Sequence, residues 1–387
     1  MQERKNVIMT SEGEQSDALA FFGVSGINCK RTFRRNVWSA SVQEENQWMQ
    51  YLLSLSNQRH GAGDANLANN DGASDIGCFN IPKIIHFIWL GGNSMPKFPF
   101  LRSEIDCDDK QAAYEWNECV ESWKVHHPPS KGWEIIIWTE ENIANDNDTI
   151  GSVDATTKFV LKQNEMLNKD AYTQALQMNN YGAASDILRL DILNKFGGVY
   201  ADVDYFCVGC LDDLMSGPSQ FFCGASNTGC VELNNGLMAC QKGGHPIVTE
   251  MIDSIHDYFE NELSNENQQE SAISMLSSFL DATTLNALES TQSASSGTLS
   301  PMDVIEHTGP GLLTRLVCRW LVRNGDNEHT SPIIVFPSRV FHSFPNHLRN
   351  KLSADDETTG QKLLRSFMNP KEAKAVHLWG CSWQDEK

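Results

Sequence analysis

Asp202 and Asp204 stand one residue apart near the end of the stretch Tyr181 to Tyr205, YGAASDILRLDILNKFGGVYADVDY. On a strand, residues at that spacing project to one face, while Ala201 and Val203 point into the layer behind. Like charges held in one small volume raise each other's pKa, and they are stable near neutral pH when a cation or a proton sits between them. Mg2+ or Mn2+ is bound in such places by one or two carboxylates, several waters and substrate phosphates, so the pair predicts a metal site for a nucleotide-activated substrate. An Asp-x-Asp by itself also occurs on solvated loops, so its meaning rests on what positions it.

The positioning elements are legible upstream. Gly182 to Lys195 reads as a helix with an apolar stripe through Ala184, Ile187, Leu188 and Leu190, and Gly197-Gly198 follow where a helix cap belongs. Gly198 then opens a strand. Asp186 and Arg189, three apart, neighbour each other on one helix face, and Asp191 adds a charge among apolar residues. Buried charges need partners. Either Asp186 and Arg189 form a structural pair tying helix to sheet, or these charges converge with the two aspartates, and the immediate approach of the strand end favours convergence. Ile81 to Gly92, a continuous apolar run bounded by Pro82 and Gly91-Gly92, predicts a central strand with Trp89 at its carboxyl end. Ligands of doubly wound sheets bind beyond such ends, where an indole stacks on a base or sugar; a core tryptophan is the alternative. Trp133 to Trp138 predicts a second strand.

The combination Ala184-Ser185-Asp186, Arg189, Gly197-Gly198-Val199-Tyr200 and Asp202-Val203-Asp204 resembles the sugar-binding region of the DXD-containing glycosyltransferases of family 32. That family includes fungal initiating α-1,6-mannosyltransferases and sphingolipid mannosyltransferases, and its core is related to the large clostridial glucosylating toxins. The resemblance runs from about Ile81 to Trp383. It implies an α/β fold of the nucleotide-sugar-binding glycosyltransferase A-type, Rossmann-like, with a mixed, mostly parallel sheet flanked by helices. It further implies a metal-dependent retaining hexosyltransferase using Mn2+ or Mg2+, a UDP- or GDP-hexose as donor, and a glycan, glycolipid or protein hydroxyl as acceptor.

Residue by residue, the resemblance makes Asp204 a direct metal ligand and sets Asp202 on the ribose or sugar, sharing the metal through water. Asp186 and Arg189 would hold sugar hydroxyls, Tyr200 would pack beside them, and Trp89 would face the nucleotide. Asn234-Asn235-Gly236 looks like the acceptor-side strand, with Asn235 facing the sugar; an ordinary Asn-Gly turn is the other reading. His307-Thr308-Gly309-Pro310-Gly311 resembles the family's Thr-Gly-Pro turn, where Thr308 is read as a helix N-cap. In the closing segment, Ala375 to Trp383, His377 and Trp379 share a strand face, and His377 either approaches the metal or is a buried structural histidine. Ser382 and Trp383 are the candidates for a lid over the donor.

Composition limits the alternatives. A formal charge of −20 argues against nucleic acid as a partner and makes a metal bridge to a diphosphate more necessary. No run approaches 18 consecutive apolar residues, so no transmembrane segment is expected. Residues 1–78 lack sustained periodicity and read as a poorly ordered segment, leaving 79–387 as the glycosyltransferase domain, with a low-complexity insertion near 260–300 that carries a weakly amphipathic helix from Ile273 to Leu288. The resemblance points to the Golgi, yet no signal or anchor is visible, and the cytoplasm stays open. Eleven cysteines, an odd number, leave the redox compartment open as well; Cys207 and Cys210 have zinc-ligand spacing, but disulfides or buried thiols are the better readings. Two other functions stay open for the same residues: a non-catalytic sugar-nucleotide-binding homologue, and a metal-dependent phosphate-ester hydrolase, against which stands the lack of a second carboxylate or histidine cluster.

Overall fold

Apolar runs bounded by turn residues become strands, and the amphipathic and buried runs between them become helices. In chain order these are β1 (Ile84–Ile88), α1 (Glu118–His126), β2 (Glu134–Trp138), β3 (Ile143–Ala144), β4 (Leu161–Lys162), α2 (Lys169–Gln177), α3 (Tyr181–Phe196), β5 (Gly198–Ala201) and β6 (Tyr205–Cys207). Then follow α4 (Asp212–Met215), β7 (Phe221–Ala225), β8 (Leu233–Cys240), α5 (Pro246–Leu276), α6 (Pro301–His307), α7 (Pro310–Arg323), β9 (Ile333–Phe336), α8 (Ser338–Phe341), α9 (Glu357–Phe367) and β10 (Ala375–His377). The computed structural model describes residues 81–91, 94–104, 117–140, 143–144, 161–215, 220–228, 232–276, 299–323, 333–352, 357–367 and 372–380. The segment 1–78, Ser382 and Trp383, and the stretch 277–298 of the expected insertion lie outside the described residues; residues 260–276 continue helix α5.

Six strands form one sheet in the order β2-β1-β5-β8-β7-β9. β1 is parallel to β2 and β5, β7 is parallel to β9, and β8 runs antiparallel to both neighbours. Five of the six strands therefore point one way, which is the mixed, mostly parallel sheet expected of a glycosyltransferase A-type fold. β6 and β10 make a separate antiparallel pair in which Tyr205 faces His377, and β3 pairs with β4.

Alternation along the strands divides the core. Tyr200 faces the layer of α3, α5 and α7, where Leu188, Ile192, Met251 and Leu313 pack, while Val199 and Ala201 face the layer holding Phe87, Trp123 and Trp133. Each large side chain removed from water there contributes roughly 1.5–3 kcal/mol. Helix α3 departs from the expected single stripe: all but Ser185 of the stretch 183–193 is buried, Asp186, Arg189 and Asp191 included. It is a central helix enclosed by α2, α5 and the sheet, and a periodicity argument sees only the sheet-facing side. Its glycine stop is as the sequence predicts, with Gly197 donating to Leu193 O at the cap; at the other end Asn180, which the sequence reading does not single out, accepts from the N–H of Ala183.

Gly198 makes the next step. Its φ is +93°, and a Cβ there would lie 2.6 Å from Ile84 O, so only glycine lets β5 enter the sheet against β1. His86 locks the same junction. Its Nδ1 accepts from the indole of Trp138 at 3.1 Å and its Nε2 lies 2.9 Å from Gly197 O, which puts the proton on Nε2. Burial lowers its pKa to about 4, so this imidazole is neutral at pH 7. The described cysteines, Cys119, Cys207, Cys210, Cys223, Cys240 and Cys318, are all free thiols. Among the described residues no helix is long and apolar enough to cross a membrane.

Candidate active site

The two aspartates do not sit on a strand. β5 ends at Ala201, and Asp202-Val203-Asp204 forms a tight turn into β6, closed by the Tyr205 N–H donating to Asp202 O at 3.1 Å. Convergence comes from the turn, not from strand alternation: the Asp202 N–H makes a last in-register bond to Gly236 O at 2.8 Å, and the chain turns directly after it. The outcome for the carboxylates is the same. Oxygens of Asp202 and Asp204 and a ring nitrogen of His377 all lie within 4.8 Å of one another, the one such group of three or more among the described residues.

Each of the three is held differently. Asp204 is buried and its Oδ2 accepts from the Gly380 N–H at 2.6 Å and lies 3.1 Å from His377 Nε2. Burial pushes its carboxyl up, but the charge and hydrogen bond of His377, with the Gly380 N–H, outweigh burial and leave it below the ordinary carboxylate value. Asp202, with a third of its side chain exposed, receives the Tyr200 hydroxyl on Oδ1 at 2.6 Å, and Arg189 Nη2 lies 3.4 Å from the same oxygen. Burial and the nearby Asp204 raise its pKa, against the pull of Arg189. His377 is buried, and its Nδ1 has no hydrogen-bond partner. Trp379 lies 4.1 Å from the His377 ring, as expected, although it leaves the strand with φ of +60° and does not reach His377 by alternation.

Beside this group, Asp186 and Arg189 of α3 form a second constellation. Arg189 Nη2 lies 2.9 Å from Asp186 Oδ1, its Nη1 donates to Asn235 O at 2.9 Å, its Nε donates to Ser185 O, and the guanidinium stacks 4.4 Å from the Tyr200 ring. Burial opposes its charge, but Tyr200, Asp202 and Asp186 more than compensate and keep it protonated. Asp186 accepts from Asn235 Nδ2 at 2.8 Å and from the Thr308 hydroxyl at 2.9 Å, and burial raises its pKa against Arg189 and these hydrogen bonds. In this arrangement the polar atoms of both side chains are engaged within the protein.

Asn235 owes its position to an irregularity. Along β7 and β8 the register runs Cys223 to Met238, then jumps to Gly224 opposite Asn234, so residues 235–237 leave the β7 ladder. Bulges re-aim side chains beside active sites. The strand reading of Asn235 therefore holds over the Asn-Gly turn. Thr308 is the residue whose role the sequence misassigns: it ends α6 rather than capping α7, and its hydroxyl reaches Asp186. Trp89 lies just past β1, half-buried against Phe87 and its neighbours. Asp191 does not join the site; its Oδ1 accepts the Leu167 N–H at 2.9 Å near the start of α2.

Asp202, Asp204 and His377 offer two hard carboxylates and an imidazole, a donor set suited to a divalent ion such as Mn2+. Two features of the chain fit such a guest: the Nδ1 of His377 is buried without a partner, and the space beside Asp202 Oδ2 is kept open by Gly236, where a Cβ would come within 2.5 Å of that oxygen.

Parts of this chain are similar to known proteins. Residues 113–220 match the family model described as glycosyltransferase sugar-binding region containing DXD motif. The chain is 30% identical over 190 residues to Subversion of eukaryotic traffic protein A of Legionella pneumophila, covering 46% of this chain and 26% of that protein. It is 44% identical over 66 residues to Toxin A of Clostridium novyi, covering 17% and 3%, and 25% identical over 136 residues to inositol phosphoceramide mannosyltransferase 1 of Schizosaccharomyces pombe, covering 35% and 32%. The chain thus matches about a third or less of the length of these relatives. Among solved structures, the catalytic domain of alpha-toxin from Clostridium novyi aligns over 82% of this chain and 88% of that one at 13% identity, with a TM-score of 0.39. The match to this family model spans Asp202-Val203-Asp204, so residues 113–220 are similar to a glycosyltransferase sugar-binding region containing a DXD motif.

Proposed function

We propose that the protein transfers a hexosyl group, with retention, from a UDP- or GDP-sugar to a hydroxyl of a glycan, glycolipid or protein, with a divalent ion held by Asp204, Asp202 and His377. The observation that carries this reading is the approach of those three donor groups within 4.8 Å, directly beside the Asp186, Arg189 and Asn235 constellation. Bound there, Mn2+ or Mg2+ supplies Lewis-acid stabilisation of the departing diphosphate. Asp204, already ionised in its hydrogen-bonded place, needs no deprotonation to act as ligand. Asp202 is tied to Arg189 and Tyr200 through Oδ1, which leaves its other oxygen, beside Gly236, for the ion.

Asp186 and Arg189 form the floor of the sugar site, where sugar hydroxyls exchange with the Asn235 and Thr308 hydrogen bonds. Trp89 stacks on the nucleotide. In the reaction the bond from the anomeric carbon to the diphosphate oxygen breaks, the bond to the acceptor oxygen forms on the same face, and the acceptor proton passes to the departing phosphate. A phosphate-ester hydrolase with two metals finds less support, since only one group of three or more metal-capable side chains occurs among the described residues. The names of the fungal relatives, which are mannosyltransferases, favour a hexose.

The test is a donor-hydrolysis screen with purified protein, Mn2+ and a panel of UDP- and GDP-sugars, with and without chelator, reading released nucleoside diphosphate. Release from one donor that stops with chelator is the expected result. Silence across the panel, together with no thermal stabilisation by UDP or GDP plus Mn2+, overturns the reading.

A further inference from the structure

Behind the three proposed metal-binding side chains lies a second, wholly buried polar layer that the sequence motif does not include. Its centre is Tyr205, with no exposed surface. The hydroxyl of Tyr205 lies 2.6 Å from His342 Nε2 and 3.2 Å from Asn234 Oδ1. Its ring lies flat on that of His377, with centroids 4.3 Å apart and planes 4° from parallel. Its backbone N–H closes the Asp202 turn, and its backbone carbonyl accepts the indole N–H of Trp123 at 2.8 Å.

Both branches of this layer end on metal-site residues. On one side, Asn234 Oδ1 accepts the Gly236 N–H at 2.7 Å, and Gly236 O in turn accepts the Asp202 N–H. On the other, His342 forms a bridge to Val376, the residue before His377, and Tyr205 pairs across β6 and β10 with His377 itself. A phenyl ring would fill the Tyr205 position with no polar group to satisfy. A hydroxyl, an imidazole and an amide are gathered there instead, at the desolvation cost that buried polar groups carry. Burial, with the nearby His377, pushes the pKa of His342 well down, so this layer adds no net charge to the site.

We propose that Tyr205 and His342 are positioning residues that fix the ring of His377 and the turn of Asp202 and Asp204 in the geometry that accepts a divalent cation. The proposal rests on the metal-binding reading given above. Hydrogen-bonded partners behind metal ligands commonly set metal affinity by 10–100-fold. Tyr205→Phe keeps the stacked ring and removes only the hydroxyl, so it isolates this contribution.

The experiment is a Mn2+ titration of thermal stability in the absence of any donor, run on the wild-type chain and on Tyr205→Phe, with the metal-free Tm read in parallel. The expected result is a Mn2+ midpoint raised about 10-fold, while the metal-free protein unfolds cooperatively. His342→Leu removes the same hydrogen bond from the other side and is expected to raise the midpoint likewise, so the question is answered even where one variant fails to fold. Val248→Ala, in the buried face of α5, lowers Tm by packing loss alone and is expected to leave the midpoint unchanged. A Tyr205→Phe midpoint within twofold of a responsive wild type, or an equal rise in Val248→Ala, overturns the positioning role while leaving the metal site standing. A wild type that shows no response to Mn2+ or Mg2+ overturns the metal site and this inference with it.

Discussion

Arg189 Nη2 sits between two carboxylates, 2.9 Å from Asp186 Oδ1 and 3.4 Å from Asp202 Oδ1, so one guanidinium ties the central helix to the acidic turn at the end of the interior strand β5. The planar fork also donates to Asn235 O and lies on Tyr200, which a lysine cannot reproduce. Arg189→Ala leaves Asp186 buried without its counter-charge, a change of about 3–5 kcal/mol for a buried pair. Urea unfolding of Arg189→Ala is expected to show a loss in that range and donor hydrolysis to vanish. Arg189→Lys is expected to recover part of the stability and little of the activity. Wild-type turnover in Arg189→Lys would mean that charge alone suffices.

Gly236 is predicted to be irreplaceable for metal use but not for folding. A Cβ at this position would stand 2.5 Å from Asp202 Oδ2 and 2.8 Å from Asn234 Oδ1. Asp202 is the more mobile of the two, being a third exposed, so its carboxylate turns away and its metal-facing oxygen is displaced. Gly236→Ala is expected to keep the circular dichroism spectrum and lose Mn2+-dependent hydrolysis by about 100-fold, the upper end of what a misplaced ligand environment costs. Activity saturating at the wild-type Mn2+ concentration would show that the space beside Asp202 is not used.

Much of this arrangement is legible in the sequence, and the divide has a physical basis. The helix from Tyr181 to Phe196, its glycine stop, the β1 and β2 strands and the acidic pair are local features, written by propensity, capping and short-range spacing. The approach of Asp186 and Arg189 to Asp202 follows because a glycine-capped helix followed at once by a strand leaves little freedom. What the sequence does not display is set by pairing across distant segments. The bulge that frees Asn235 exists only because β7 shifts register against β8. Thr308 reads as a cap by composition, and its hydroxyl finds Asp186 only once α6 packs on the central helix. Asp191 looks equivalent to Asp186 in sequence, but the helix is buried on several faces and sends the two carboxylates to different neighbours.

Asp204→Asn is expected to abolish transfer with the fold intact. The amide preserves the shape and still accepts the Gly380 N–H, so the fold is kept, while the ionised ligand and the stability its charge contributes at neutral pH are gone. The effect on acid stability has a definite sign. The folded-state pKa of Asp204 is lowered, so its contribution is present above the unfolded carboxylate pKa and is lost as pH falls through the folded value. Wild type is therefore expected to lose its advantage over Asp204→Asn only below about pH 4, the unfolded value. Retention of most activity by this variant would remove Asp204 from the mechanism.

Asp191 gives the opposite sign. Its side chain is buried against the start of α2, and burial raises its pKa to about 6 despite hydrogen bonds from the Leu167 and Asn168 N–H groups. A carboxyl with a folded pKa above its unfolded one favours the folded state in its protonated form. That contribution is complete below about pH 4, the unfolded value, and is lost as pH rises through the folded value near 6. The span corresponds to a change on the order of 3 kcal/mol. Asp191→Asn keeps an acceptor for the Leu167 N–H and removes the ionisation, so it is expected to be no less stable than wild type at pH 4 and more stable at pH 7. Urea midpoints for both proteins across pH 4 to 7.5 measure this directly. Parallel curves would mean that Asp191 ionises without cost, and that the backbone N–H groups at the start of α2 fully replace the water it loses.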